Sequence, residues 1–522
     1  MAEASRNFLN RNSSALILAI FGLFGAILIW MSTPWGIGVG YDSIFYLSAA
    51  DNLLSGLGLG RVDGYGNFIP LTHFPPLYPL SLAGLSFLAG IESDLAARIL
   101  AALVYGILVW LIGWLIYLYT NSRMAGVLGA GLGLISPFML DLSYLAMSEQ
   151  IYLVLLLLLI HTLNRFVFNQ KFWYLVVAGA LAAMAYLTRY VGLSVIILGV
   201  IALLVFGRRP LRKKVKDTIS FAVISLFPML IFYFRNWLLT GSLTNRVILY
   251  HPPTASQLKL GISTIAGWLL PPRFGANTRA IVLVLLVITM VILIIVGYLQ
   301  KKDHVGLPPV QPASQQFIVL IVMYMAIYLL MLGVSLTFFD ASTRLNDRIL
   351  SPIYILGILL VFIVLWNSSY LQEKSWLRIG IILGCIGFIV LHLLQGWGVA
   401  NRMRLEGRGF SSKQWRSSAT IEKVSDLPAD TLIFSNEAFA IYYLAGRTAN
   451  WLPENYDPVK GQKATDYDQQ IDAMQAEILS RNGALVIFDS ISKNNVYAPL
   501  EQMTSRLKLL VDLDDGSIFV KP

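Results

Sequence analysis

Long apolar runs separated by short polar connections fill the chain from residue 14 to residue 397. Three examples are "SALILAIFGLFGAILIW", "AIVLVLLVITMVILIIVGYL" and "QFIVLIVMYMAIYLLMLGV". A hydrocarbon core about 30 Å thick is crossed by roughly 20 helical residues, so each run reads as a membrane span. Taken in order, the runs lie at about 14–32, 95–119, 124–140, 150–168, 173–188, 190–206, 218–238, 278–299, 315–336, 348–366 and 378–397. The pattern therefore predicts a mostly α, polytopic membrane helix bundle of eleven spans. The first run is longer than the apolar core of a signal peptide. "MSTPWG" after it has no small-x-small cleavage site, so an uncleaved first span is expected.

Positive charge tests that count, because Lys and Arg gather in cytoplasmic connections. Arg6 and Arg11, Arg123, Arg165 and Lys171, the block "GRRPLRKKVK" at 207–216, Lys301 and Lys302, then Lys374 and Arg378 all fall on alternate connections. A cytoplasmic N-terminus and an external stretch from about residue 398 follow, in a plasma (inner) membrane. The segment "PPLYPLSLAGLSFLAG" at 75–90 is too short for a span and reads as an interfacial or re-entrant helix. Residues 42–55 read as a second interfacial helix. At about 100° per residue, Ser48, Asp51, Asn52 and Ser55 share one face, and Tyr46, Leu47, Ala50, Leu53 and Leu54 the other.

Beyond residue 398 the pattern changes. Strand-like "TLIFSN" and "ALVIFDS" flank a polar helical stretch, "DYDQQIDAMQAEILSRN", and "RLKLLVDLDDGSIFV" reads as a hairpin around "DDG". The expected organisation is a transmembrane domain over 1–397, with its first external loop at 33–94, and a small external α/β domain over 398–522. No internal repeat is visible.

Composition agrees: 57% of residues are hydrophobic and 13% charged, with mean hydropathy +0.68. Soluble domains stand nearer half apolar and a quarter charged. The net charge of +10 is concentrated in the 207–216 block between two apolar runs. That placement orients a membrane protein and leaves no role for nucleic acid. Cys385 is the single cysteine, so no intrachain disulfide can form. There is no Walker loop and no G-x-G-x-x-G unit, which leaves ATP-driven transport and soluble nucleotide-sugar chemistry without a phosphate cradle.

Polar groups next to hydrocarbon are costly, so those at the external mouth carry the functional question. Asp42 opens the 42–55 helix, where it can cap free backbone N–H groups or act in chemistry. Glu149 follows Ser148 at the start of the fourth run, where Ser148 can cap and Glu149 can complement the helix dipole. Both fall on the same side as Asp141. Acids converging there can take a proton from an acceptor or hold a divalent cation. His73 precedes two prolines; His161, His251, His304 and His392 form no ligand spacing with it. Arg235, Arg246, Arg273, Arg279, Arg344 and Arg348 break the positive-inside bias, and Arg189 lies at the mouth between two runs. Each can anchor to lipid headgroups; as a set they point to an anionic ligand, and a phosphate suits the planar guanidinium fork.

The order "GYDSIFYLSAADNLLSGLGL", "LTHFPPLYPLSLAGLSFL", "AARILAALVYGILVWLIGWLIY", "SEQIYLVLLLL", "YLTRYVG", "FRNWLLTGSL" and "NDRILSPIYIL" resembles polytopic glycosyltransferases of the C-type fold. The nearest likeness is to the family 39-like, Rgt-type branch, related to protein O-mannosyltransferases and the lipid A aminoarabinose transferase. It covers most of residues 14–366, and "FSNEAFAIYYLAGRTANWLP" resembles the external tail of such proteins. The resemblance implies an enzyme of cell-envelope glycosylation. Such an enzyme takes a sugar from a polyprenyl-phosphate carrier in the membrane lipid and passes it to a glycan, lipid or protein acceptor outside the cytoplasm. Asp42 matches the family's first-loop aspartate, the general base of a one-step inverting transfer. Glu149 matches the acidic position of the second external loop, with "SE" in place of the aspartate common elsewhere. His73 falls where relatives carry a basic residue before proline, near the lipid phosphate; Arg189, Arg235, Arg344 and Arg348, singled out above by charge and position, are the further candidates to bind that phosphate. Relatives often have an adjacent acidic pair in the first loop, whereas Asp42 is followed by Ser43. A divalent cation, Mg or Mn, held by Asp42 and Glu149 is thus left open as the one candidate cofactor. Two other classes compete: a transporter or flippase of a phosphorylated lipid or sugar, and a non-catalytic sensor whose external domain binds sugar.

Overall fold

A computed structural model of the 522-residue chain describes residues 2–246, 248–299, 312–339, 342–368, 375–457, 462–489 and 500–522. Lys301, Lys302 and Lys374, used above to orient the chain, lie outside the described residues. The membrane part runs α1 (Ala2–Ser32), α2 (Tyr41–Leu54), α3 (Leu77–Ala89), α4 (Ser93–Thr120), α5 (Arg123–Ile135), α6 (Pro137–Ser143) and α7 (Glu149–Asn169). It continues through α8 (Phe172–Thr188), α9 (Leu193–Phe206), α10 (Leu211–Thr240), α11 (Ala255–Gly267), α12 (Ala276–Leu299), α13 (Pro312–Phe338), α14 (Asp347–Asn367) and α15 (Ser375–Glu406).

All eleven predicted runs are helical, but they are not eleven long helices. Eight helices among the described residues are long and apolar enough to cross a membrane, or nine if α5 and α6 count as one bent span. The chain is a multi-pass membrane protein with fewer full-length spans than predicted. Hydropathy misses the break at Pro137, which has no N–H to extend α5. Ser136 instead caps α6 by accepting from the Met139 N–H, and the two helices meet at 54°. The run at 173–188 becomes α8, 17 residues long. At 1.5 Å per residue that is about 26 Å, the lower limit for a span. The chain turns sharply at Arg189, which is extended at φ −150° and ψ 139°, before a 3-10 turn leads into α9.

One end of the bundle is tied by polar side chains. Asn164 on α7 donates to the Tyr119 hydroxyl at 2.9 Å, and Ser314 and Asn367 donate to the Tyr119 carbonyl at 2.8 and 3.0 Å. Arg123 donates to Ser13 at 2.9 Å, and Arg209 pairs with Asp217 at 3.0 Å. Arg209 also donates through Nε to Gln170, the C-cap of α7, at 3.4 Å, so the 207–216 block shares this end with Arg123. Asp42, Glu149 and Arg348 lie at the opposite end.

The first loop departs from prediction in one respect. Besides Tyr46, Leu47 and Ala50, α2 also buries Ser48 and Asn52 from its polar face. Asn52 donates to the Gly60 carbonyl at 2.9 Å, inside a hairpin of β1 (Gly60–Val62) and β2 (Phe68–Pro70). The helix is thus clamped on both sides rather than floating on the membrane. On α3, Phe87 and Leu88 remain 78% and 84% exposed, as a helix lying against hydrocarbon requires.

The C-terminal α/β domain contains β3 (Ile433–Ser435), α16 (Ala438–Ala445), β4 (Asn450–Trp451), α17 (Tyr467–Ser480), β5 (Ala484–Phe488), β6 (Lys508–Leu513) and β7 (Gly516–Val520). Its sheet runs β4-β3-β5-β7-β6, with β4, β3 and β5 parallel and β6–β7 the predicted hairpin. The two-residue strand β4 was not legible in the sequence.

Close packing of α1 on α4 depends on two glycines. A Cβ on Gly106 would lie 2.6 Å from the Gly22 carbonyl oxygen, and one on Gly22 2.7 Å from that of Gly106. Small residues allow such backbone approach between membrane helices. Gly106→Val should lower stability by about 1–3 kcal/mol, the usual cost of overpacking. A lower thermal midpoint in detergent would show it, and an unchanged midpoint would mean the crossing tolerates a larger residue.

Candidate functional site

Three segments meet where the first loop leaves α1. The extended stretch before α2 is hydrogen-bonded on both edges. Gly38 donates to the Tyr144 carbonyl at 2.8 Å and accepts from the Ala146 N–H at 2.9 Å. On the other edge the Phe410 N–H donates to the Val39 carbonyl at 2.8 Å. Glycine is required at two of these points. A Cβ on Gly38 would lie 2.4 Å from the Tyr144 oxygen, and Gly409, at φ +60°, would place one 2.1 Å from the Val39 oxygen. Asp42 and Glu149 are thereby held in fixed register, since Tyr144–Ala146 leads directly into α7.

Neither of the simple capping roles holds. Gly40, not Asp42, is the N-cap of α2, and its N–H donates to Ser43 Oγ at 3.0 Å. Ser148 occupies the N-cap position of α7 but makes no side-chain cap. The Asp42 carboxylate instead accepts from Arg348 Nη2 at 2.6 Å. Arg348 lies in the first turn of α14, whose cap is Asn346, with Asn346 Oδ1 accepting from the Ile349 N–H. The same guanidinium donates through Nε to Glu149 Oε1, and Arg189 Nη1 donates to that oxygen as well. Arg189 reaches Glu149 because the chain leaves α8 extended at that residue. Its Nη1 also donates to Ser148 Oγ at 3.3 Å, and Ser148 lies 3.4 Å from the Tyr46 hydroxyl. Two carboxylates and two guanidiniums thus form one charge-balanced knot.

Exposure grades through the knot. Side-chain exposure is 28% for Asp42 and 30% for Arg348, but 3% for Glu149. Tyr46, one turn after Asp42, is buried. Burial first, then the charges of Glu149 and Asp42, push its phenol above the ordinary value, so it remains a neutral hydrogen-bond group.

The other predicted residues lie elsewhere. Arg235 donates to the Leu71 and Leu59 carbonyls at 2.8 and 2.7 Å and braces the first loop. His73 is exposed, its ring edge-on to Phe74, which in turn meets the Tyr46 ring at 5.2 Å. Arg344 is exposed and makes no side-chain hydrogen bond or ion pair among the described residues. Asp141 pairs with Arg408 at 2.6 Å and so does not converge with the other two acids. Sequence reasoning missed Tyr46, although its i+4 spacing from Asp42 was a usable signal. It also missed Glu437, whose carboxylate accepts from the Tyr41 hydroxyl at 3.0 Å across 396 positions, with no local signal.

The arrangement does not fit a divalent cation. Among the described residues no group of three or more His, Cys, Asp or Glu side chains could hold a metal ion. Asp42 and Glu149 converge on the Arg348 guanidinium, which stands where a cation between them would sit.

Comparison with known proteins places this geometry in a fold. Residues 73–232 match the family described as dolichyl-phosphate-mannose-protein mannosyltransferase, which is less than half of the chain. No curated protein matches the sequence. Among solved structures, the chain is similar to ArnT from Cupriavidus metallidurans bound to undecaprenyl phosphate. The TM-score is 0.54 at 11% identity, over 96% of this chain and 97% of that one. It is also similar to the Archaeoglobus fulgidus oligosaccharyltransferase in complex with Zn and sulfate. There the TM-score is 0.54 at 13% identity, over 91% of this chain and 68% of that one. A third likeness is to the Archaeoglobus fulgidus oligosaccharyltransferase AglB with an inhibitory peptide and a dolichol-phosphate. Its TM-score is 0.51 at 14% identity, over 91% and 69% of the two chains. At these identities the likeness establishes a shared polytopic fold.

Burial separates the two acids in stability. Removing one member of a buried pair costs about 3–5 kcal/mol, whereas a more exposed pair contributes about 1 kcal/mol or less. Glu149→Gln, which leaves Arg189 and Arg348 facing each other, should therefore destabilise the protein several-fold more than Asp42→Asn. Thermal unfolding of both variants checks this, and equal midpoints would show that Glu149 does not hold the arginines.

Proposed function

We propose that this protein is a membrane glycosyltransferase. It moves a sugar from a polyprenyl-phosphate carrier to an acceptor hydroxyl at the end of the bundle that carries Asp42, on the external face. The observation that carries the reading is the knot of Asp42, Arg348, Glu149 and Arg189 at the mouth of the bundle. A partly exposed carboxylate stands there beside arginines suited to a phosphate. Support comes from the family match over α3 to α10 and from the shared fold of proteins solved with undecaprenyl phosphate and dolichol-phosphate.

The chemistry needs no protein nucleophile. The acceptor oxygen attacks the anomeric carbon as the bond from that carbon to the carrier phosphate breaks, and its electron pair leaves on the phosphate oxygen. The acceptor's proton passes to Asp42, and a single displacement inverts the anomeric centre. Positioning and fixed charge supply the catalysis. Arg348 and Arg189 would stabilise the departing phosphate. In the structure Arg348 holds one Asp42 oxygen, Oδ2, and leaves Oδ1 to take the proton, so an incoming phosphate that draws Arg348 toward itself would also make the carboxylate a stronger base. Glu149, bound by both arginines and closed to solvent, is assigned to holding them rather than to proton transfer. His73 and Arg344, both exposed, are assigned to the rim, and Arg235 to bracing the loop.

Two experiments test the reading. Asp42→Asn keeps the side chain's size but removes its basicity. Turnover should fall by at least about a hundredfold with donor binding largely kept, as loss of a general base predicts. Release of free lipid phosphate, followed by mass spectrometry with candidate polyprenyl-phosphate sugars, measures it. Near-normal turnover in a folded variant would exclude Asp42 as the base. Sidedness is read separately. Cysteines placed at 210 and 450, in a Cys385→Ser background, should label from opposite faces of the membrane, with 450 external. Labelling of both from one face would remove the external location.

A further inference from the structure

The C-terminal sheet reverses direction at β3. From β3 the chain crosses to β4 on one side and then to β5 on the other, all three strands being parallel. In open α/β sheets, ligands sit in the crevice outside the carboxyl ends of the strands at such a reversal. Here that edge carries Ser435, Asn436 and Glu437. Asn436 closes the gap to β5, with Nδ2 donating to the Phe488 carbonyl at 2.7 Å and Oδ1 accepting from the Phe488 N–H at 2.9 Å. Glu437 is 4% exposed, and its N–H donates to Ser435 Oγ at 3.0 Å. Both of its carboxylate oxygens lie 3.0 Å from the hydroxyl of Tyr41.

Tyr41 is the residue before Asp42. Its ring meets Phe410, Trp451 and Phe439 at 5.5, 6.0 and 6.3 Å, and Phe45, one turn along α2, meets Phe439 at 5.2 Å. Yet Tyr41 keeps 44% of its surface exposed, so the contact is not core packing that any aromatic residue would satisfy. Its hydroxyl is held by Glu437 in addition to these ring contacts. The stretch leading to it contains Gly36, Gly38 and Gly40, and Gly40 caps α2 without a side chain. The backbone pairings fix Gly38 and Val39, and beyond them the Tyr41 hydroxyl supplies a further anchor at the start of α2.

We infer that the C-terminal domain takes Tyr41 in the place where such a sheet would take a ligand, and that Tyr41 and Glu437 are positioning residues for Asp42. The domain is on this account a brace for the reacting loop, not an independent sugar-binding module. The inference rests on the assignment of Asp42 as the base.

The test uses the full-length protein, as wild type, Tyr41→Phe, Glu437→Ala, Glu437→Gln and the double variant Tyr41→Phe/Glu437→Ala. Hydrogen exchange of peptides spanning 37–47 reads the contact directly. A hydrogen bond to a charged acceptor shifts an equilibrium by about tenfold or more, so Tyr41→Phe and Glu437→Ala should each speed exchange by about that factor. Glu437→Gln still offers an acceptor and should stay nearer the wild type, and the double variant should exceed neither single one. Peptides from α4 and β5 should not change, which shows that both parts stay folded. With an active donor, Tyr41→Phe and Glu437→Ala should lower kcat about tenfold with donor KM within about twofold. Unchanged exchange in Tyr41→Phe overturns the contact, and faster exchange with unchanged kcat overturns its role in placing Asp42. Should the wild type transfer no sugar, the glycosyltransferase reading falls, and the exchange measurement alone decides whether Glu437 anchors Tyr41.

Discussion

One guanidinium holds the Asp42 end of this bundle together. Arg348, on α14, bridges a carboxylate from α2 and a carboxylate from α7, and Arg189 adds a second cation from the break after α8. Four charges placed beside hydrocarbon are tolerable only if each has a partner, because the desolvation of an isolated ion costs several kcal/mol. The bridge therefore demands that four separate helical elements end at the same level. The break at Arg189 and the glycine contacts at Gly38 and Gly409 can be understood as meeting that demand. Gly38 and Gly409 let three backbone segments run side by side, which brings Asp42 and the start of α7 within reach of one arginine.

The helical content and the C-terminal domain were legible because they rest on local patterns. Apolar runs of the right length, strand-like alternation and the "DDG" turn each appear within a short window. The number of full-length spans was not legible, since hydropathy averages over a window and does not register that Pro137 interrupts a helix. The candidate site was legible by half. Acids beside apolar runs are conspicuous, so Asp42 and Glu149 stood out. The arginines did not separate: Arg235, Arg344 and Arg348 look alike in sequence. The first braces backbone carbonyls, the second is exposed, and only the third joins the two acids, 306 and 199 positions away. Tertiary contact decides among them, and a single sequence carries no record of it.

The capping expectations failed for a related reason. Asp42 and Ser148 are ordinary cap residues at ordinary cap positions, and in isolation each would serve that role. Here Asp42 lies within reach of a cation, which attracts a carboxylate more strongly than backbone N–H groups do. Gly40, which has no side chain to compete, takes the cap position instead. Ser148 is likewise drawn toward Arg189 and Tyr46. Local preference gave way to electrostatics where several charges converge.

Exposure then divides the work between the two acids. Glu149 is almost closed off, with Oε1 bound to two guanidiniums and Oε2 without a hydrogen-bond partner among the described residues. At 3% side-chain exposure it offers no open surface to a solvent-borne hydroxyl. Asp42 is open enough to meet a substrate and is held through a single oxygen to an arginine that is itself partly exposed. The knot carries no net charge, so a phosphate entering at the mouth would meet Arg348 only in competition with Asp42. In the proposed reaction that competition links the two substrates. On that proposal the donor's charge would draw Arg348 away from Asp42 Oδ2, and the carboxylate would gain basicity when the sugar to be transferred is in place.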